Sequence, residues 1–248
     1  MLQVYYTKLS MTLILILLGI LSASLVGTIT GFGTSTILVP VLLLFYPLPE
    51  VLLFVGIIHW FGNIWKMYFF RAGKSLALLI SFGLAGAIGG FLGARLTIEI
   101  PQEALQRALG AFLILYCAFM YWKPEAKLKV SPLTSSVGGL ISGFSAGIFG
   151  VGGAIRGVFL NAFGLKKSVY LFTAGAIGFI IDTSRLMTYA HQGFRLAELR
   201  ISWLFIGIPL SLISAWMAKK LVDYLPQAVF RQVVTLGLFV LGVYYLFW

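Results

Sequence analysis

Charge is scarce in this sequence: Asp, Glu, Lys and Arg together make up 10% of its 248 residues, and only seven side chains are acidic. Soluble globular domains carry about 25% charged residues, so a soluble fold is excluded before any element is placed. Cysteine is nearly absent as well. Cys117 is the single one and lies inside an apolar run, which excludes an internal disulfide and leaves the redox compartment unread. Of the seven carboxylates only Asp182 is deep in an apolar stretch, so an intramembrane aspartyl dyad has no second member. There is no His-Glu-x-x-His for zinc and no Walker sequence for nucleotide, so no metal, cofactor or ATP-driven step is expected. Long polar stretches are missing too, leaving no room for a soluble domain. Ten-residue alternating runs are also missing, which argues against a membrane β-barrel.

What fills the chain is apolar: 60% of residues are hydrophobic and the mean hydropathy is +1.01. Several uninterrupted stretches reach the ~20 residues a helix needs to cross a ~30 Å hydrocarbon layer. Inside lipid every backbone polar group must be paired within its own segment, so the expected fold is an all-α integral membrane protein. The net charge of +11 does not point to nucleic acid. Its cations stand singly or in pairs at segment ends, as in the loops of a membrane protein, so the expected partners are a lipid bilayer and no nucleic acid. The first run, Met11 to Ile29, carries Ser22-Ala23-Ser24, a faint signal-peptidase pattern. It is long for a signal core and has a counterpart later in the chain, so it is read as retained.

That counterpart belongs to an internal repeat. Thr30-Gly31-Phe32-Gly33-Thr34-Ser35-Thr36 falls on Gly147-Ile148-Phe149-Gly150-Val151-Gly152-Gly153. Gly73-Lys74-Ser75-Leu76 falls on Gly193-Phe194-Arg195-Leu196, and Pro101-Gln102 falls on Pro226-Gln227. The offset drifts only from 117 to 125, so the chain is expected to be duplicated. The first repeat, 1–123, reads as a Gly-broken hairpin over 11–46 and helices over 50–70, 76–95 and 104–122. A linker over 124–132 precedes the second repeat, 133–248, with a hairpin over 133–164 and helices over 168–190, 200–218 and 228–247.

Each broken segment either crosses the membrane once or turns back at its glycines, and the basic residues distinguish the two. With a returning hairpin, Arg71, Lys74, Lys123, Lys127, Lys129, Lys166, Lys167, Lys219, Lys220 and Arg231 share one side. Lys8, Arg95, Arg107, Arg195 and Arg200 share the other, a split of ten to five; a single crossing gives a nearly even split. Basic bias favours the returning hairpin, with both termini outside the cytoplasm and the repeats inverted. Inverted repeats with broken helices place substrate near the midplane.

The hairpin tips are the first candidate site. Gly31, Gly33, Thr34, Ser35 and Thr36 in one repeat, and Gly150, Gly152 and Gly153 in the other, each precede a short apolar run. A half-helix starting there would aim unpaired N–H groups and a positive dipole end into the protein, which suits a desolvated anion. The bland reading is that the glycines only permit close packing. Lys66, Arg156, Asp182 and Arg185 lie inside apolar segments, with His59 and Asn63 nearby, and the four charges sum to plus two. A positive interior predicts a negative passenger. Against that, Lys66 is near a helix end and can snorkel. Asp182 and Arg185 are three apart and can neutralise each other, Arg156 can brace its half-helix, and His59 can be an ordinary buried histidine rather than a proton relay. The functional alternative for Asp182 or His59 is coupling of transport to protons. Gly143-Phe144-Ser145-Ala146-Gly147 fits the nucleophile-elbow pattern, but it lies in an apolar helix with no strand before it, so hydrolysis is not expected.

The Gly31-Phe32-Gly33 tip followed by Val39-Pro40, the duplicated Phe149-Gly150-Val151-Gly152-Gly153 tip, and the Gly73 and Gly193 turns resemble the sulfite exporter TauE/SafE family of membrane permeases. The likeness runs over nearly the whole chain. It implies outward movement of sulfite, organosulfonates and related sulfur oxyanions across a bacterial cytoplasmic membrane, with the two tips as the substrate cradle. Thr34-Ser35-Thr36 replace glycines common in that family, which leaves the particular anion open. A small anionic substrate is thus the expected passenger, and a second copy of the chain a candidate partner. Another small anion such as a carboxylate, or a scaffold role without any passenger, stand as the alternatives.

Overall fold

The computed structural model describes residues 2–30, 33–71, 73–122, 127–197, 199, 201–221, 224 and 227–247. Those residues form helices and connecting turns, with no strand among them. The first half of the chain contributes α1 (Leu2–Thr30), α2 (Thr34–Leu42), α3 (Leu48–Phe69), α4 (Leu76–Leu96) and α5 (Gln102–Trp122). The second half contributes α6 (Pro132–Phe149), α7 (Gly152–Ala162), α8 (Lys167–His191), α9 (Ile201–Leu221) and α10 (Gln227–Phe247). Helices α3, α4, α5, α8 and α9 are long and apolar enough to cross a membrane; the described apolar stretches of α1 and α10 are shorter. α1 begins well before the expected residue 11, because Leu2 to Ser10 continue the helix past the apolar run.

Both broken segments turn back. The N–H of Gly33 donates to the carbonyl of Gly27 at 3.0 Å, and further out Gly19 faces Leu38, so α2 runs antiparallel beside α1. In the second half of the chain the Ser142 hydroxyl donates to the Gly152 carbonyl at 2.8 Å, and Gly138 faces Phe159. With 9 and 11 residues, α2 and α7 are about 13 and 16 Å long at 1.5 Å per residue. That is half of a ~30 Å hydrocarbon core, so neither spans it alone. Glycine makes both reversals possible: Gly33 has φ 80° at the start of α2, and Gly150 has φ 73° at the end of α6, a left-handed region that other residues seldom occupy.

Helices α3 and α8 run antiparallel to each other, as do α5 and α10. Gly56, His59 and Lys66 of α3 meet Leu186, Asp182 and Gly175 of α8 in reverse order. Cys117 and Gly110 of α5 likewise meet Thr235 and Gly242 of α10. Helix α4 packs along α6, α9 packs along α1, and α4 and α9 also contact α8 and α3 respectively. Each hairpin therefore leans on a helix from the other half of the chain.

The α4–α6 contact is the tightest. Gly86, Gly89, Gly90 and Gly93 lie against the backbone of α6 around Gly139, Gly143 and Gly147, and the two helices run parallel. A methyl group at Gly143 would strike the Gly86 carbonyl, and one at Gly89 would sit 2.8 Å from the Phe144 nitrogen. Such backbone-to-backbone approach is how membrane helices associate without a hydrophobic driving force between them. Gly143→Ala should therefore destabilise the protein by about 1–3 kcal/mol. Gly237→Ala in α10, where an added methyl meets nothing within 4 Å, should be neutral to within about 0.5 kcal/mol. Thermal unfolding of the detergent-purified variants compares the two; equal shifts would refute the contact.

The ends of the bundle sort the basic residues. Phe69 lies under Lys219, Gly73 touches Val169, and the N–H of Leu128 donates to the Ala162 carbonyl. This end gathers Arg71, Lys74, Lys127, Lys129, Lys166, Lys167, Lys219 and Lys220. At the opposite end Gln192 donates to the Arg95 carbonyl, and Glu50 accepts from the N–H groups of Ala197 and Leu199 at 2.9 and 3.0 Å. Arg95, Arg107 and Arg195 are the basic residues described there. Lys123 and Arg200 lie outside the described residues, as do the side chains of Lys8 and Arg231.

Candidate functional site

The two tips meet. An added methyl on Gly33 would sit 3.7 Å from Cα of Gly153, 3.8 Å from a terminal guanidinium nitrogen of Arg156 and 2.9 Å from Nε2 of His59. His59 is about half-way along α3, so the meeting point lies near the middle of a membrane-crossing helix. Helices α2 and α7 both begin there, and neither has a side-chain cap. Their first-turn N–H groups are thus not satisfied by a capping side chain, and two positive dipole ends share one buried region.

Around the tips lies a buried polar cluster on α3, α7 and α8. Asp182 is its anchor. Its Oδ2 accepts from Nδ2 of Asn63 at 2.7 Å and lies 2.8 Å from Nδ1 of His59; its Oδ1 accepts from Nε of Arg185 at 2.8 Å. Arg185 continues to α6, where Nη1 donates to the Ala146 carbonyl at 3.3 Å, and the Tyr189 hydroxyl donates to the Gly147 carbonyl. A cation and a hydroxyl thereby reach the carbonyls at the C-terminus of α6, where Ala146 also accepts from the Gly150 N–H and Gly147 from the Thr97 hydroxyl. The relative exposures of Asp182, Arg185, Arg156 and His59 are 2%, 0%, 2% and 2%. Water offers none of them relief.

Once these bonds are counted, three nitrogens remain buried without a partner: Nε2 of His59, Nε of Arg156 and Nη2 of Arg185. Burying an unpaired charge costs several kcal/mol, so orphaned cations persist only where something else repays them. Asp182 offsets one charge, that of Arg185. Arg156 and Lys66 have no ion pair with a described residue. The positive excess expected from the apolar segments is therefore physically concentrated beside the tips.

The structure brings together Gly33, Gly150, Gly153, His59, Asn63, Arg156, Asp182 and Arg185, drawn from both halves of the chain. Lys66 is one turn beyond Asn63 and is buried against Gly175, so it does not snorkel to an exposed end. Thr34, Ser35 and Thr36 are buried in the first turn of α2, and Thr36 has a partner of its own. Gly152 faces α6, where an added methyl would meet Ala146 at 2.6 Å; its evident duty is hairpin packing. Gly31 lies outside the described residues. Sequence reasoning missed Tyr189 and the α6 C-terminus as holders of the site, since a tyrosine one turn after Arg185 carries no signal of its own.

No curated protein and no solved structure matches the chain. A family model does: that of the sulfite exporter TauE/SafE family, over residues 15–245. With a match across nearly the whole chain, an all-helical fold and helices long and apolar enough to span a bilayer, this protein belongs to the sulfite exporter TauE/SafE family of membrane transport proteins.

Proposed function

We propose that the protein is a secondary transporter, working as an exporter, for a sulfur oxyanion such as sulfite or a small organosulfonate. The anion is held between the two hairpin tips, and access to it alternates as two inverted repeats rock about that point. One observation carries the reading: Arg156, Arg185 and His59 each leave a buried nitrogen unpartnered where two uncapped half-helices begin. A sulfonate or sulfite group presents three oxygens on one small centre. It suits several donors converging from different helices better than a planar carboxylate, which two-point contact already satisfies. Full burial of the site corresponds to an occluded state of the cycle.

The antiparallel pairing of α3 with α8 and of α5 with α10 supports the inverted relation, because repeats related by an axis along the membrane normal would pair their counterparts in parallel. The basic end, by the positive-inside bias, faces the cytoplasm of a bacterial inner membrane and leaves both termini outside.

A panel of sulfite, methanesulfonate, sulfate and acetate in a thermal-unfolding assay on detergent-purified protein tests the substrate class. At 100 times its dissociation constant a true ligand adds about 2.7 kcal/mol, or about 5–10 °C in a protein of this size. Sulfite or methanesulfonate should give that shift, and labelled sulfite should then cross proteoliposome membranes. Equal stabilisation by acetate would move the assignment to carboxylates, and indifference to every anion would leave a scaffold.

A further inference from the structure

The chain's two histidines are differently placed: His191 sits at the end of α8, whereas His59 is at the centre of α3 with one nitrogen anchored and the other free. Nδ1 lies 2.8 Å from Oδ2 of Asp182. The same carboxylate is bonded to Arg185 and so is held as an anion, and an ionised carboxylate only accepts hydrogen bonds. The Nδ1 proton is therefore committed to Asp182. In the neutral imidazole this leaves Nε2 as a bare lone pair, buried, without a donor and aimed at Gly33 and the tip.

A lone pair cannot bond to an anion; an N–H can. The other groups around this point are Asp182 and Arg185 on α8, Arg156 on α7, Asn63 and Lys66 on α3, and the first turn of α2 at Thr34 to Thr36. His59 presents its free ring nitrogen to Gly33, and taking up one proton turns that nitrogen from repelling an oxyanion to binding it. We infer that His59 carries one proton with each anion, its Nε2 being protonated when a sulfonate or sulfite oxygen enters the tip region. This rests on the anion-transport reading of the same site. In the step one N–H bond forms on Nε2 with a proton from water on the loading side. Asp182 keeps the imidazolium's other N–H, and the anion's negative charge balances the charge gained. On release the N–H bond breaks and the proton leaves to water on the far side with the anion. Binding of proton and anion then favour each other reciprocally. The exporter would thus move a monoanion without moving net charge.

The test uses full-length protein in liposomes with methanesulfonate, an anion ionised at every accessible pH, so that any proton moving with it is carried by the protein. A lumenal pH dye reads protons while labelled methanesulfonate reads anions, with the membrane potential clamped. The wild type should show about one proton per anion. In His59→Gln the ratio should fall to zero whatever the residual rate; a merely structural role would change the rate and leave the ratio. If that variant does not fold, the wild-type ratio alone decides. Anion movement without protons in the wild type, or an unchanged ratio in His59→Gln, overturns the inference and leaves the transport reading standing. Failure of the wild type to move methanesulfonate under any gradient overturns the sulfonate reading and the coupling with it.

Discussion

Arg156→Met should abolish anion binding and transport while leaving the protein as stable as before, or more so. Arg156 is buried, its Nε has no partner, and it pairs with no described carboxylate. Its charge is a burden on the empty protein and an asset only when an anion is bound, because truncating one side of a buried charge pair costs about 2–5 kcal/mol of binding. The expected loss is about 100-fold or more in affinity for sulfite or methanesulfonate, read as disappearance of the ligand-induced thermal shift. Methionine keeps the volume of the aliphatic stem, so the unliganded melting temperature should hold or rise by a few degrees. The opposed signs matter. A residue that merely braces α7 would lose stability on replacement and would leave the anion's effect intact, and that result would remove Arg156 from the site.

Asp182→Ala should do the reverse and damage the fold first. Three side chains from two helices, His59, Asn63 and Arg185, are bonded to this one carboxylate. Its removal leaves the fully buried guanidinium of Arg185 without its anionic partner, a loss of about 3–5 kcal/mol. That is a large share of the 5–15 kcal/mol that separates typical folded proteins from unfolded ones, so folded yield should collapse. A double replacement, Asp182→Leu with Arg185→Met, removes the bare charge along with its partner and should recover much of the lost stability. Size-exclusion profiles and thermal unfolding of the three variants measure this. A single variant within about 1 kcal/mol of wild type would show that the pair is not what holds α8 in place.

Much of this arrangement was legible in the chain. Apolar length located α3, α4, α5, α8 and α9, because a bilayer imposes a fixed minimum on any crossing helix. Glycines at 33 and 150 marked the reversals because other residues seldom adopt the backbone angles found there. The parity of basic residues anticipated the returning hairpins, since segment direction decides which end each Lys or Arg reaches. What stayed hidden depends on distant pairing. The Asp182–Arg185 bond is local and readable at a spacing of three, whereas the contact from Asp182 to His59 joins residues 123 positions apart and needs the antiparallel α3–α8 packing. The packing of Gly152 against α6 stayed hidden too, because a glycine in sequence does not say which neighbour requires its missing side chain. The π-turn over Leu79–Gly83 in α4, where the Ser136 hydroxyl donates to the Ser81 carbonyl at 3.3 Å, left no trace in composition.

The exchange of supports between repeats also orders events during synthesis. α1 leans on α9, which begins at Ile201, so the first hairpin is complete long before the helix that flanks it has been made. At ribosomal speeds of about 5–20 residues per second, that interval is roughly ten to thirty seconds. The second hairpin has no such wait, since α4 is already in place when α6 emerges. The newborn chain therefore holds its first hairpin against α3 until α9 arrives, while its other hairpin docks at once.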